Sequence, residues 1–254
     1  MVRVYERTKR VVGNCMSKRS SLRTAAGVLA IGVGAGLSAY GTYAAVSWYR
    51  YGRVPQPNGA EYDQLLDRFM PAYDVIERHR IRVAAPPGTT LAAAREQDLF
   101  RLPLVRAIFK TRELVLRATA DDRSQPRGLL AATLALGWGV LAEVADREIV
   151  VGAVTKPWEP NVTFRALPPD EFAAFAEPGF VKIAWTLRAD SIDDETSIFR
   201  TETRALATNA TARAMFRRYW AFASPGIALI RRLSLQPLRG EAERRARTAG
   251  LSGG

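Results

Sequence analysis

The chain has 254 residues, a formal net charge of +12, one histidine and one cysteine. A lone cysteine excludes an internal disulfide, and with one histidine beside it no ligand set for a transition-metal cluster remains. No Walker loop or dinucleotide fingerprint is present, and Gly32, Gly34 and Gly36 sit in an apolar run without phosphate-loop context, so no cofactor or metal is expected.

Residues 1–24 form a basic leader, with Arg3, Arg7, Lys9, Arg10, Lys18, Arg19 and Arg23 against Glu6, and this leader holds about half of the net charge. Residues 25–49 carry no charged side chain. As a helix that run is long enough to cross the roughly 30 Å hydrocarbon core of a bilayer. Tyr40, Tyr43, Trp48 and Tyr49 gather toward its C-terminal end, as for interfacial anchors. The flanking cations put the N-terminus in the cytoplasm and the remainder on the extracytoplasmic side of a single-pass membrane protein. A cleaved signal peptide and a buried, non-membrane helix are the alternatives. Against cleavage, the apolar run and the leader are long, and Thr42-Tyr43-Ala44 matches A-x-A poorly. Gly32 and Gly36 have the small-xxx-small spacing that permits self-association in lipid. No zinc spacing or RNA-binding aromatic motif accompanies the basic charge, so no nucleic-acid partner is expected; a bilayer surface is the simpler use for it.

Residues 50–72 read as a linker, with Pro55, Pro57 and Gly59, followed by a short helix over 61–70. Over 73–85 the pattern alternates: Val75, Glu77, His79, Ile81 and Val83 share one face, and Ile76, Arg78, Arg80 and Arg82 the other, a strand with one side toward a core and one toward water. Thr89 or Thr90 is placed to cap a helix over 91–99, and Pro103 opens another. Residues 121–128 are a polar turn, and 129–136 an apolar piece of undecided type. A hairpin follows, 140–144 and 148–155, turning at Ala145-Asp146. Short segments at 162–166 (strand) and 168–175 (helix) lead to two alternating strands, 180–189 and 197–207, which pair antiparallel. In these, Arg200, Glu202 and Arg204 with Lys182 and Arg188 read as an exposed charge ladder; a shifted register, turning Glu202 and Arg204 inward to hold a polar headgroup, is the alternative. Asn209 caps a long C-terminal helix whose stripe is Ala212, Met215, Phe216, Tyr219 and Ala223, continuing through Ile227, Ile230 and Leu233. Ser224-Pro225 is expected to kink or restart it, Pro237 to end the apolar face, the basic tail over 231–247 to be a solvated helix, and 248–254 to be disordered.

The order predicts an α+β fold: a curved antiparallel sheet wrapped around a long C-terminal helix, with a cavity between them, preceded by one N-terminal transmembrane helix. Val75-Ile76-Glu77-Arg78-His79 leading to Val83-Ala84-Ala85-Pro86, Gly137-Trp138-Gly139-Val140-Leu141, and Ile149 to Val154 are similar to segments of a known superfamily, as are Phe199 to Arg204 and Phe216 to Trp220. Over 73–247 the chain resembles the START-like helix-grip superfamily, the polyketide cyclase/dehydrase and lipid transport group, and within it bacterial proteins of unassigned function. The resemblance implies a deep apolar cavity under the C-terminal helix and supplies no catalytic residue.

Three functions follow as expectations: a membrane-anchored protein that binds or carries an apolar, lipid-like small molecule; an aromatase/cyclase-like enzyme; or a tethered interaction module without catalysis. Glu77 and His79, two residues apart on one strand face, are the candidate acid/base pair, and mutual satisfaction at the sheet edge is the simpler role for them. The cavity is expected to be lined by Val75, Glu77, His79, Ile81, Ile183, Trp185, Phe199, Thr201, Met215 and Tyr219. Trp138, Trp158 and Trp220 suit a pocket or a core equally.

Overall fold

A computed structural model describes residues 34–53, 59, 62–98 and 126–252. Two compact units are distinguished, Met1–Val46 and Ser47–Gly254, and the second carries the sheet. Residues 34–50 are helical (α1). The first nine residues of the expected span, Gly32 among them, lie outside the described residues, as does the helix expected from Pro103. Among the described residues no helix is long and apolar enough to cross a membrane.

The remaining elements are α2 (Gln64–Asp67), β1 (Val75–Val83), α3 (Pro87–Glu96), α4 (Leu129–Ala135), β2 (Gly139–Val144), β3 (Glu148–Thr155), β4 (Phe164–Arg165), α5 (Pro169–Ala174), β5 (Val181–Ser191), β6 (Ser197–Ala207) and α6 (Ala210–Ser252). All strands pair antiparallel in the order β1-β6-β5-β3-β2, and β4 shares the outer edge of β3 with β2. The β2–β3 turn places Asp146 at φ 57, a left-handed position that aspartate tolerates better than most residues. The undecided piece 129–136 is a helix entered through Gly128, at φ 99. α3 begins at Pro87, not at a threonine cap; proline suits the first helical turn, where its missing N–H costs nothing. Thr90 is instead buried, its hydroxyl 2.8 Å from Ser197 Oγ.

α6 is one helix of 43 residues with Pro225 and Pro237 inside it, so the expected restart and the disordered end at 248–252 give way to continuous helix. Each proline removes one helix hydrogen bond. The helix continues because it has apolar surface to bury on both sides of them: Ala212, Phe216 and Trp220 before, Leu238 and Ala242 after. Ser224, fully buried beside the first proline, bonds Ser47 Oγ at 2.9 Å.

Both faces of the sheet are covered, which the alternating pattern did not anticipate. On the helix-facing side, one apolar cluster gathers Ile149, Val151, Trp185, Leu187 and Phe199 with Leu238 and Ala242 of α6. A second gathers Val75, Val181 and Ala205 with Ala212, Phe216 and Trp220. On the opposite side, Leu66, Phe69 and Met70 pack with Phe172 against Val150, Val154 and Ala184. β3 is therefore buried at all eight positions.

This outer packing also corrects the expectation of an exposed charge ladder. Arg204 is 1% exposed and Glu202 6%, because residues 63–70 lie across them. Arg204 donates to Glu202, Asp67 and the carbonyl of Met70, and its guanidinium lies 4.6 Å from the Tyr73 ring centre. Burial pulls its pKa down, but the Glu202 and Asp67 carboxylates outweigh that and hold it above the ordinary value. Lys182 is buried too, its Nζ donating to Ala173 O at 2.8 Å over the Phe172 ring.

Candidate functional site

Strand register assembles the site. β1 and β6 place Glu77 opposite Thr203 and His79 opposite Thr201. β6 and β5 place Thr203 opposite Trp185, and β5 and β3 place Trp185 opposite Val151. On the face under α6, one row across the sheet therefore runs Glu77, Thr203, Trp185, Val151. Polar groups occupy the β1–β6 half and apolar ones the β5–β3 half. The polar half falls between the two apolar clusters, in the middle of the face.

The helix answers with a cation. On its sheet-facing seam Ala212, Phe216, Trp220, Ile227, Leu235, Leu238, Ala242 and Ala246 pack into the clusters, and Arg231 sits in that seam between Ile227 and Leu235. Its Nη1 donates to Thr201 Oγ1 at 3.3 Å and its Nη2 to Thr203 Oγ1 at 3.1 Å. Its guanidinium carbon lies 5.1 Å from the centre of the Trp185 ring. Burial pulls Arg231 down to about 10, against the opposing pull of the Glu77 charge, so it stays protonated at neutral pH. Arg231 is part-buried, and drawing a guanidinium away from water has a cost that two hydroxyls, a ring face and the charge of Glu77 offset in part. A seam needed for packing alone is served better by leucine.

His79 Nε2 lies 3.7 Å from Glu77 Oε2, beyond hydrogen-bond reach. Burial first, then the charges of Arg231 and Arg232, pull the imidazole down to about 4. At neutral pH it is an uncharged ring whose Nε2 is buried and has no hydrogen-bond partner. A neutral imidazole beside a carboxylate, with a fixed cation opposite, can exchange a proton with a bound group while Arg231 stabilises negative charge on it.

Of the residues expected to line the space, Val75 and Ile183 lie in the cluster nearer the start of α6, with Tyr219 stacked 6.2 Å from Phe216. Ile81, Trp185 and Phe199 lie in the other cluster, and Glu77, His79 and Thr201 lie between the two. Met215 is not among them. It is 38% exposed, because the seam runs through Ala212, Phe216 and Trp220 and turns Met215 away. Trp138 packs edge-on to Trp185 at 6.4 Å, Trp158 packs against the cluster of Val75, and Trp220 is buried there. Arg231 and Thr203 were not anticipated. The signal for Arg231 was the seam spacing itself: four-residue steps on from Phe216 and Ile227 reach 220 and 231, whereas the expected stripe drifted to Ile230 and Leu233.

Two clefts stand out among the described residues, and neither is lined by Arg231. One, of about 820 Å³, opens at the start of α6 beside Tyr51, Asp74, Arg213 and Arg217. There Asp74 accepts from Tyr51 Oη and the Ala207 amide and pairs with Arg213, clipping residues 47–52 to the domain. The other is small and lies on the outer face. No group of three or more histidine, cysteine, aspartate or glutamate side chains among the described residues is arranged for a metal ion.

No family model matches the chain, and no curated protein matches it. Among solved structures, a hypothetical protein from Helicobacter pylori is similar at 8% identity and a TM-score of 0.34, over 76% of this chain and 99% of that one. A norcoclaurine synthase mutant from Thalictrum, in complex with a transition-state analogue, is similar at 9% identity and 0.32, over 66% and 96%. An aromatase/cyclase from Streptomyces is similar at 16% identity and 0.23, over 69% and 98%. At these scores the likenesses carry no argument about substrate or activity. The fold rests on the strand order and on the helix that crosses one face of the sheet.

Proposed function

We propose that the chain is a membrane-anchored START-like protein that binds an apolar, lipid-like molecule between the sheet and α6, with the molecule's polar end held at Arg231. The single observation behind this is a guanidinium set in an apolar seam against Thr201, Thr203 and Trp185. That arrangement is costly as packing and suits an acceptor such as a carboxylate or carbonyl, with aliphatic and aromatic surface to either side for the rest of the molecule. The uncharged run 25–49, with its basic leader, supports tethering beside the bilayer, where such molecules concentrate, with the domain on the extracytoplasmic side.

The test is titration of the purified full chain in mild detergent with a fluorescent acyl-chain carboxylate. Saturable binding is expected, weakened about tenfold or more in Arg231→Met, as for loss of a charge-assisted hydrogen bond. Arg239→Met, at an exposed pair with Glu243, should bind as the unaltered chain does. Absence of saturable binding, or equal binding by Arg231→Met, rejects the reading. Tethering is tested separately: the chain should stay with membranes through alkaline carbonate, and release into the soluble fraction rejects the anchor.

The buried, unpartnered Nε2 of His79 favours a second reading, an aromatase/cyclase-like reaction with Glu77 and His79 as acid and base. In that case His79→Gln abolishes turnover of a bound polyketide-like substrate while leaving acyl-chain binding intact. Unchanged turnover removes the reading.

A further inference from the structure

The outer face of the sheet carries a row of like charges. β1 and β6 set Arg80 opposite Arg200, and β6 and β5 set Arg200 opposite Arg188. Like charges directly opposite one another destabilise an antiparallel pair, and here three stand in line on adjacent strands. The chain supplies one carboxylate to the row: Asp190 accepts from Arg188 Nε at 2.7 Å and from Arg200 Nε at 2.9 Å. Beyond Arg188 the row ends at Glu148. Burial and the adjoining Asp63 push the Glu148 carboxyl up to about 8, so at neutral pH it holds its proton, and the negative charge facing the three arginines is that of Asp190 with Asp63 beside Arg188.

Arg80 is exposed and has no ion pair or hydrogen bond among the described residues. Next to it, Arg78 is held by Glu202 at 2.7 and 3.4 Å. The carboxylates in the wall are already engaged: Glu202 with Arg78 and Arg204, Asp63 with the Leu66 amide. Arg78, Arg80, Arg188 and Arg200, with Asp63, Glu202 and Thr186, line a cleft of about 130 Å³ that His79 and Thr201 also border. That is room for about four waters, hence for one tetrahedral oxyanion and not for a nucleotide or an acyl chain.

We propose that this cleft binds a phosphate- or sulfate-type oxyanion, held by Arg80, by the terminal N–H groups of Arg200 and by Nη2 of Arg188, whose Nη1 already donates to Tyr62 O at 3.3 Å. Guanidinium forks suit such oxyanions, and a bound one would relieve the repulsion along the row. The site is on the other side of the sheet from Arg231 and does not depend on the function proposed there.

The test is calorimetric titration of the full chain with inorganic phosphate at low, constant ionic strength. Saturable binding is expected, weakened about tenfold or more in Arg80→Ala, as for loss of a charge-assisted contact. Arg80 is exposed and unpartnered, so the variant should fold normally. Arg82→Ala, two residues along on the same face, serves as the charge control and should leave binding within about twofold. No saturable binding by the unaltered chain, or equal weakening in the two variants, overturns the proposal. Once phosphate binding is established, reconstitution into phosphatidylcholine vesicles with and without phosphatidate names the source. Weaker phosphate binding with phosphatidate present assigns the site to a lipid headgroup, and unchanged binding assigns it to a soluble phosphate; either result sustains the site.

Discussion

Replacing Arg204 by alanine distinguishes a buried outer face from an exposed ladder of charges. Removing one partner of a buried ion pair costs about 3–5 kcal/mol, because the other is left uncompensated. Two features set the value here near the lower end. Glu202 keeps Arg78, and Asp67, with its side chain 21% exposed, can recover water. Against that, the Met70 carbonyl loses a donor at 2.7 Å. About 3 kcal/mol is therefore expected. For a unit of this size that is a fall in Tm of about 6–12 °C. Arg244→Ala removes a solvent-exposed i,i+3 partner of Glu241 and should cost at most about 1 kcal/mol. The assay is thermal unfolding of the full chain followed by near-ultraviolet circular dichroism, with a urea titration to convert midpoints into free energies. If Arg204→Ala lowers Tm no more than Arg244→Ala does, residues 63–70 do not cover this face and the buried network is wrong.

Three further outcomes are expected. His79 is the only histidine, so its ring protons are assigned without ambiguity in a proton NMR spectrum; the midpoint should fall near 4. Since the folded value lies below the unfolded one, the folded state binds fewer protons over about pH 4–6.5, and stability from this group falls as pH drops through that window. A midpoint near 6.5 would place the ring in water. Glu148 has the opposite sense: its carboxyl is raised to about 8, the folded state holds the extra proton, and stability falls as pH rises from the ordinary carboxylate range to about 8. Glu148→Gln should flatten urea-unfolding free energies measured over that range, and an unchanged slope contradicts the assignment. Gly137 sits at φ 99, and a Cβ there would lie 2.3 Å from Phe164 O. Gly137→Ala should cost about 1–3 kcal/mol from the strained backbone alone, and a midpoint within error of the unaltered chain would show that the β2 and β4 edges are not this close.

The strands were legible because their period is local. β6 spans the residues that alternation gave it, and Glu77 and His79 share a face because they are two apart on one strand. Burial of the outer face was not legible. Asp67 and Arg204 stand 137 positions apart, and nothing in the run Arg200 to Arg204 signals that a distant segment will cross it. Arg231 was missed for a subtler reason. A few degrees of drift per turn, accumulated from Phe216, carried the expected stripe onto Ile230 and Leu233, and an arginine looked natural on what then counted as the solvent side. The prolines misled in the same direction. Pro237 was expected to end the apolar face and leave a solvated helix beyond it, but Leu238 and Ala242 still have a sheet to pack on.

Native mass spectrometry of the full chain released from detergent, beside Arg231→Met prepared identically, bears most directly on a cargo role for the sheet face beneath α6. The unaltered chain should carry a small apolar molecule of discrete mass that the variant lacks. Bare protein in both spectra, or the same adduct in both, would contradict a ligand anchored at Arg231.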